Sequence, residues 1–209
     1  MPVEPGILLG FLAAAALLVV SPGPDTMLIL RYTIGSGQRT GLATVAGVQA
    51  GLALHTLAAV VGLSLLIAAT PWALRAIAAA GAAYLAWLGW QSFRAGIVPL
   101  ERAGAARVGA GKAFRDALFT NLLNPKVVLL FLALMPQFVT VGTSPVPLQL
   151  AFLGLALIAV NSVWQAALAL AAEAVRRWLG RPSVQRAVSW ATGAVLMLFA
   201  LLLAAEYLA

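Results

Sequence analysis

The sequence predicts an all-α integral membrane protein of six transmembrane helices, built as two inverted three-helix repeats whose first and fourth helices are interrupted. Three observations predict it. Of the 209 residues, 63% are hydrophobic and only 9% are charged, with a mean hydropathy of +1.00, whereas a soluble domain is roughly 25% charged. Long stretches carry no Lys, Arg, Asp or Glu: Glu4 to Asp25, Arg39 to Arg75, Arg75 to Arg94, Lys126 to Glu173 and Arg186 to Glu206. The basic residues gather in alternate loops. A bilayer core takes about 20 apolar residues per helix, and lipid offers open backbone groups no partner, so these runs read as helices. The alternating segments of about 10 residues that a membrane β-barrel needs are absent.

The first span, 6–34, lacks a basic leader and a small-residue cleavage site, so it reads as an uncleaved helix rather than a signal peptide. Ser21-Pro22-Gly23-Pro24-Asp25 interrupts it. Proline has no N–H and blocks the helix before it, yet it suits the first turn of a new one, which places Gly23 at an N-cap. The second span, 41–69, carries Gln49 and His55 among apolar neighbours, and its Gly47 and Gly51 have the spacing for close helix contact. The third span covers 72–94. A linker at 96–111, rich in Gly, Ala and Arg, divides a single transmembrane unit (1–209) into halves of about 1–95 and 112–209. The fourth span, 113–139, is interrupted at Asn121-Leu122-Leu123-Asn124-Pro125-Lys126, with Asn124 in the N-cap position. Aligning Pro24 with Pro125 sets Asp25 opposite Lys126. Ser144-Pro145-Val146-Pro147 turns the chain into the fifth span, 147–175, where Asn161 and Gln165 lie one turn apart on one face. The sixth span covers 184–207. Three spans per half oblige the halves to sit in opposite orientations, the arithmetic of an inverted repeat.

Charge sets the orientation. Arg31 and Arg39 follow the first span, Arg94, Arg102, Arg107, Lys112 and Arg115 lie between the third and fourth, and Arg176, Arg177, Arg181 and Arg186 lie between the fifth and sixth. The opposite side has Arg75 alone. The positive-inside rule makes those three loops cytoplasmic and puts both termini outside, in a bacterial inner membrane. It also accounts for the net charge of +7 without invoking nucleic acid. The chain has no cysteine and one histidine, which excludes disulfides, thiolate chemistry and a rich metal site. No cofactor is implied, and six spans leave no room among these residues for an ATPase module.

The chemistry concentrates at the two breaks. A charge inside a span costs about 2.5–3.5 kcal/mol on insertion scales, so Asp25 and Lys126 are expected to line a cavity and to have partners. Lys126 sits in the first turn of a half-helix, where the dipole disfavours an ammonium, and something negative must compensate it. Asp25 at a helix start is favourable. The two form either a permanent ion pair or the poles of a solute site, paired when unloaded. An amino-acid zwitterion suits such a site: its carboxylate takes N–H groups at half-helix starts plus a cation, and its ammonium takes a carboxylate and helix-end carbonyls. Gly23, Pro24, Asp25, Asn124, Pro125 and Lys126 are therefore the candidate binding residues. His55, Gln49, Asn121, Asn161 and Gln165 are candidates for lining the path or, for His55, carrying a proton. Each has a plainer role open to it, a hydrogen bond between helices.

These motifs resemble the LysE/RhtB family of amino-acid exporters over essentially the whole chain. The resemblance rests on SPGPDTMLILRYTIGSGQRTGLATVAGVQAGLALH at 21–55, GAAYLAWLGWQSFRAG at 81–96 and AFRDALFTNLLNPKVVLLFLALMPQFV at 113–139. It implies proton-driven efflux of an amino acid or close derivative, and it places the family signature on Pro22, Gly23, Pro24, Asp25, Asn124, Pro125 and Lys126. Asp25 stands where the family more commonly has asparagine, and Asn161 where an acid is common. With one acid in the site, neutral substrates such as threonine, homoserine or leucine are favoured over basic ones. Expected partners are the substrate, protons and lipid, with a homodimer through Gly- and Ala-rich faces left open. Two alternatives remain: divalent-metal efflux, for which ligands are few, and a non-transporting scaffold or intramembrane enzyme using Ser21, His55 and Asp25, which has no use for broken helices.

Overall fold

The structure is a computed structural model and describes residues 1–21, 23–63, 71–94, 107–179 and 181–208. Pro22 and residues 95–106, most of the expected linker, lie outside the described residues. Every regular element described is helical. In order they are α1 (Pro5–Val20), α2 (Pro24–Ser36), α3 (Gln38–Ala58), α4 (Pro71–Arg94), α5 (Ala110–Leu122), α6 (Pro125–Leu129), α7 (Val146–Leu170), α8 (Ala172–Leu179) and α9 (Pro182–Leu208). A π-helical turn at Ala59–Leu63 extends α3, and α6 continues as a π turn (Leu130–Leu134) and a 3-10 turn (Met135–Phe138).

Three helices, over Gln38–Gly62, Val146–Leu170 and Pro182–Ala205, are each long and apolar enough to cross a membrane. Two bent pairs meet the same test together: α1 with α2, bent by 53°, and α5 with Pro125–Phe138, bent by 48°. Both expected interruptions are therefore present, and both fall where proline ends one helix and opens the next. The 24-residue α4 covers the third expected span and is not among the helices that meet that test over the described residues. The fifth expected span runs past a break: α7 stops at Leu170, Ala171 leaves helical geometry, and α8 begins at Ala172.

The exterior carries many large apolar residues, and buried amides sit inside among an apolar core. On α7, Leu155 is 64% and Val163 73% exposed, while Asn161 and Gln165 are 6% and 3% exposed. In water such a surface would aggregate, whereas in lipid it is the solvent-facing side. Inside, α3 packs on α5 and α7, α1 packs on α7, and α4 lies along α9. Small residues make these contacts close. A Cβ on Gly47 would sit 2.2 Å from the Phe114 carbonyl oxygen, and one on Gly51 would sit 2.5 Å from Asn121 Oδ1. Glycine at both positions lets α3 lie directly against α5, as the spacing of the pair predicts. Gly37 joins α2 to α3 at φ +89°, a left-handed conformation open mainly to glycine.

Candidate functional site

The two breaks meet in the middle of the molecule. Pro24 and Pro125 each open a helix, with Gly23 and Asn124 as the N-caps. Asn124 caps with its side chain: Oδ1 accepts from the Lys126 N–H at 3.1 Å. Its other end reaches the opposite break, where Nδ2 donates to Asp25 Oδ2 at 3.2 Å. Asn121, the last full turn of α5, adds a second donor to the same oxygen at 2.9 Å. Asp25 is thus held by two amides from the other bent pair, while its own position at the start of α2 suits a negative charge.

Lys126 crosses in the opposite direction. Its Nζ donates to the Ser21 carbonyl oxygen at 2.7 Å and to Ser21 Oγ. Ser21 caps the C-terminus of α1, the end that carries partial negative charge. The helix end supplies the compensation that Asp25 or a solute carboxylate was expected to supply. An ion pair between Asp25 and Lys126 is corrected accordingly. Among the described residues one ion pair forms, Lys112 with Asp116 at 2.5 Å, and Asp25 and Lys126 interact only at longer range. Each break anchors the charge of the other.

Gly23, Asp25, Asn121, Asn124, Lys126, Asn161 and Gln165 line one cavity of about 50 Å³, with Ser21, Thr26 and apolar side chains including Leu52, Leu130 and Leu157. That is room for a few water molecules, so an amino acid enters only with some opening. Buried side-chain atoms without a partner among the described residues are Asp25 Oδ1, Asn121 Oδ1 and Trp164 Nε1. Two of the three are on residues that line this cavity, and both are acceptors. Pro24 and Pro125 lie instead on a second cavity of about 260 Å³, with Gln91, Ser92 and Thr192, which shares Gly23, Asn124 and Lys126 with the first.

The remaining candidates stand one layer back. Gln49 is off the cavity wall and links Asn161 and Gln165 by hydrogen bonds of 3.3 and 3.0 Å. His55 Nε2 donates to the Asn121 carbonyl oxygen at 3.4 Å, and its ring stacks on Phe131. Sequence reasoning missed Ser21 as the seat of the Lys126 ammonium; its place at the last residue before the proline break was the available signal. The bent pairs are also tied away from the breaks, by Tyr32 donating to Asp116 between α2 and α5 and by Phe11 against Phe138. Among the described residues no group of three His, Cys, Asp or Glu converges as a metal site would require.

Residues 16–207 match the family model described as LysE type translocator. The chain is 35% identical over 195 residues to a homoserine/homoserine lactone efflux protein of Salmonella typhimurium, covering 93% of this chain and 94% of that one. It is 30% identical over 201 residues to the uncharacterized membrane protein YrhP of Bacillus subtilis, covering 92% and 95%. A leucine efflux protein of Salmonella typhimurium is 29% identical over 171 residues, 81% of each chain. No solved structure matches.

Proposed function

The chain belongs to the LysE type translocator family, and on that premise we propose that it exports a small neutral amino acid or a close derivative, by alternating access coupled to the proton-motive force. It is a multi-pass transporter of the bacterial inner membrane and not an enzyme. The observation that carries the reading is the pair of unpartnered buried acceptors, Asp25 Oδ1 and Asn121 Oδ1, on two residues that line one cavity with Lys126. A zwitterion is the complement of that set. Its ammonium donates to the two oxygens, and its carboxylate takes Lys126 away from Ser21. Burying those acceptors unpaired costs about 1–3 kcal/mol each, which a bound ammonium recovers. Homoserine or its lactone and leucine, the substrates stated in the names of two of these relatives, have no charged side chain.

The same reading takes the chain as one transmembrane unit, 1–209, with six spans in two inverted halves of about 1–95 and 112–209, a cytoplasmic linker at 96–111 and both termini outside. Support comes from the exchange of partners between halves. The second span packs on the fourth as the fifth packs on the first, while the third and sixth pack on each other. The two bends, 53° and 48°, are also similar. Gly23, Pro24, Asn124 and Pro125 form the joints about which the half-helices tilt. Asp25 and His55 are the groups available to carry the coupling proton: His55 binds the backbone of Asn121, which itself binds Asp25.

Counterflow in proteoliposomes tests the function. Vesicles preloaded with each of the twenty amino acids and homoserine in turn are expected to accumulate labelled solute for one neutral class only, and faster under an imposed proton gradient. Well-inserted protein that exchanges none of them would refute the proposal.

A further inference from the structure

We propose that Asn161 and Gln165, held in register by Gln49, read a hydroxyl on the substrate's side chain, and that this pair sets preference among the neutral amino acids. The inference rests on the exporter reading above and deepens it. Asn161 and Gln165 sit one turn apart on α7, so their side chains are neighbours. Both line the cavity that holds Asp25, Asn121 and Lys126.

Gln49 on α3 uses both ends of its amide on them. Its Nε2 donates to Gln165 Oε1 at 3.0 Å, and its Oε1 accepts from Asn161 Nδ2 at 3.3 Å. These two bonds take one lone pair of Gln165 Oε1 and one N–H of Asn161 Nδ2, and so fix which way each amide faces. The ends that Gln49 leaves wholly free are the Gln165 NH2, a donor, and the Asn161 carbonyl oxygen, an acceptor. A hydroxyl both accepts and donates, and it satisfies the pair by itself. An alkyl side chain leaves both groups unpaired. A second ammonium on the substrate only donates and leaves the Gln165 donor facing a cation, while a second carboxylate only accepts and faces the Asn161 oxygen. The remaining wall includes Leu52, Leu130 and Leu157, which suits the methylenes of a short chain. Hydrogen-bonding sites discriminate far better than apolar ones between a hydroxyl and its absence.

The test compares homoserine with norvaline, which replaces the terminal hydroxyl by a methyl group of similar size, using concentration-dependent counterflow of the full chain in proteoliposomes. For the wild type, KM for homoserine is expected to lie at least about tenfold below that for norvaline. In Gln165→Leu the two values are expected to converge to within about threefold. Gln49→Leu is expected to shrink the ratio as well, although Gln49 does not line the cavity; a purely structural role would lower both rates and leave the ratio intact. Asn161→Leu reads the same ratio should Gln165→Leu fail to fold. A wild type that moves both solutes with equal KM, or variants that keep the wild-type ratio, would overturn the inference and leave the exporter reading standing. A wild type that moves no amino acid would overturn both.

Discussion

Replacing Lys126 by methionine separates the two things this lysine does. Methionine keeps the length and the apolar body of the side chain and deletes the ammonium. For the fold, the loss is two charge-assisted hydrogen bonds to Ser21, about 1.5–3 kcal/mol each. The gain is the removal of a buried charge whose desolvation costs several kcal/mol. These terms are of similar size and opposite sign, and Ser21 Oγ keeps its bond to the Leu18 carbonyl oxygen at 2.9 Å. Stability should therefore change by no more than about 1–2 kcal/mol, an unfolding shift within about 8 °C for a chain of this length.

For transport the proposed site predicts no such cancellation, because Lys126 is the one cation among the described residues that line the cavity. Truncating one partner of a buried charge pair costs about 2–5 kcal/mol, which at 1.4 kcal/mol per decade is a loss of roughly 30-fold to more than a thousandfold in kcat/KM. Initial counterflow rates and thermal unfolding in detergent, measured on the same preparation, read the two effects. Ser21→Ala is the companion variant. It removes one of the two acceptors that hold the ammonium back, so KM should fall or stay level. The reasoning is refuted if Lys126→Met transports within about threefold of wild type. It is equally refuted if transport is lost together with an unfolding temperature more than about 10 °C lower, since the lysine would then be a structural tie alone.

Two further outcomes follow from the packing. Gly51→Ala places a methyl group 2.5 Å from Asn121 Oδ1 and 2.9 Å from Asn121 Cβ, and Asn121 is fully buried. Overpacking of this kind costs about 1–3 kcal/mol, so unfolding should move down by several degrees, while Gly6→Ala, with nothing within 4 Å, should leave it unchanged; equal effects would contradict the close contact of α3 with α5. Tyr32→Phe should destabilise more than Lys112→Ala, although both side chains bond Asp116. The Tyr32 bond to a carboxylate is worth about 1.5–3 kcal/mol and joins α2 to α5, whereas the Lys112 pair lies along one helix with the lysine 58% exposed, where such pairs contribute about 0.3–0.5 kcal/mol. The reverse ranking in thermal unfolding would show that this end of the bent pairs is held by something else.

The breaks in the two bent pairs were legible because proline acts locally. Pro24 and Pro125 dictate where a helix can start whatever surrounds them, and Gly23 and Asn124 follow as caps. The candidate residues were legible for a similar reason: a charged or amide side chain in an apolar run needs partners inside the protein. Which partners it has was not legible. Opposite charges at matching positions suggested that Asp25 and Lys126 pair. In the structure Lys126 turns to the carbonyl end of α1, a group that every residue possesses and that no residue type advertises. Asp25 turns to two asparagines more than ninety positions away in the chain. Gln49 looked like another path-lining amide, and its place behind Asn161 and Gln165 depends on how α3 lies against α7.

Hydropathy, the spacing of proline and the distribution of arginine are properties of the chain alone, and they sufficed for the helical membrane class and the two interruptions. They suffice because the bilayer imposes one solution on any apolar run. The docking of one break, bent by 53°, against the other, bent by 48°, determines the orientation of the side chains. That docking leaves two acceptor oxygens unpaired beside a lysine, and it depends on how the helices pack as a set. Donor and acceptor geometry at a fraction of an ångström follows from that packing, and no local pattern encodes it.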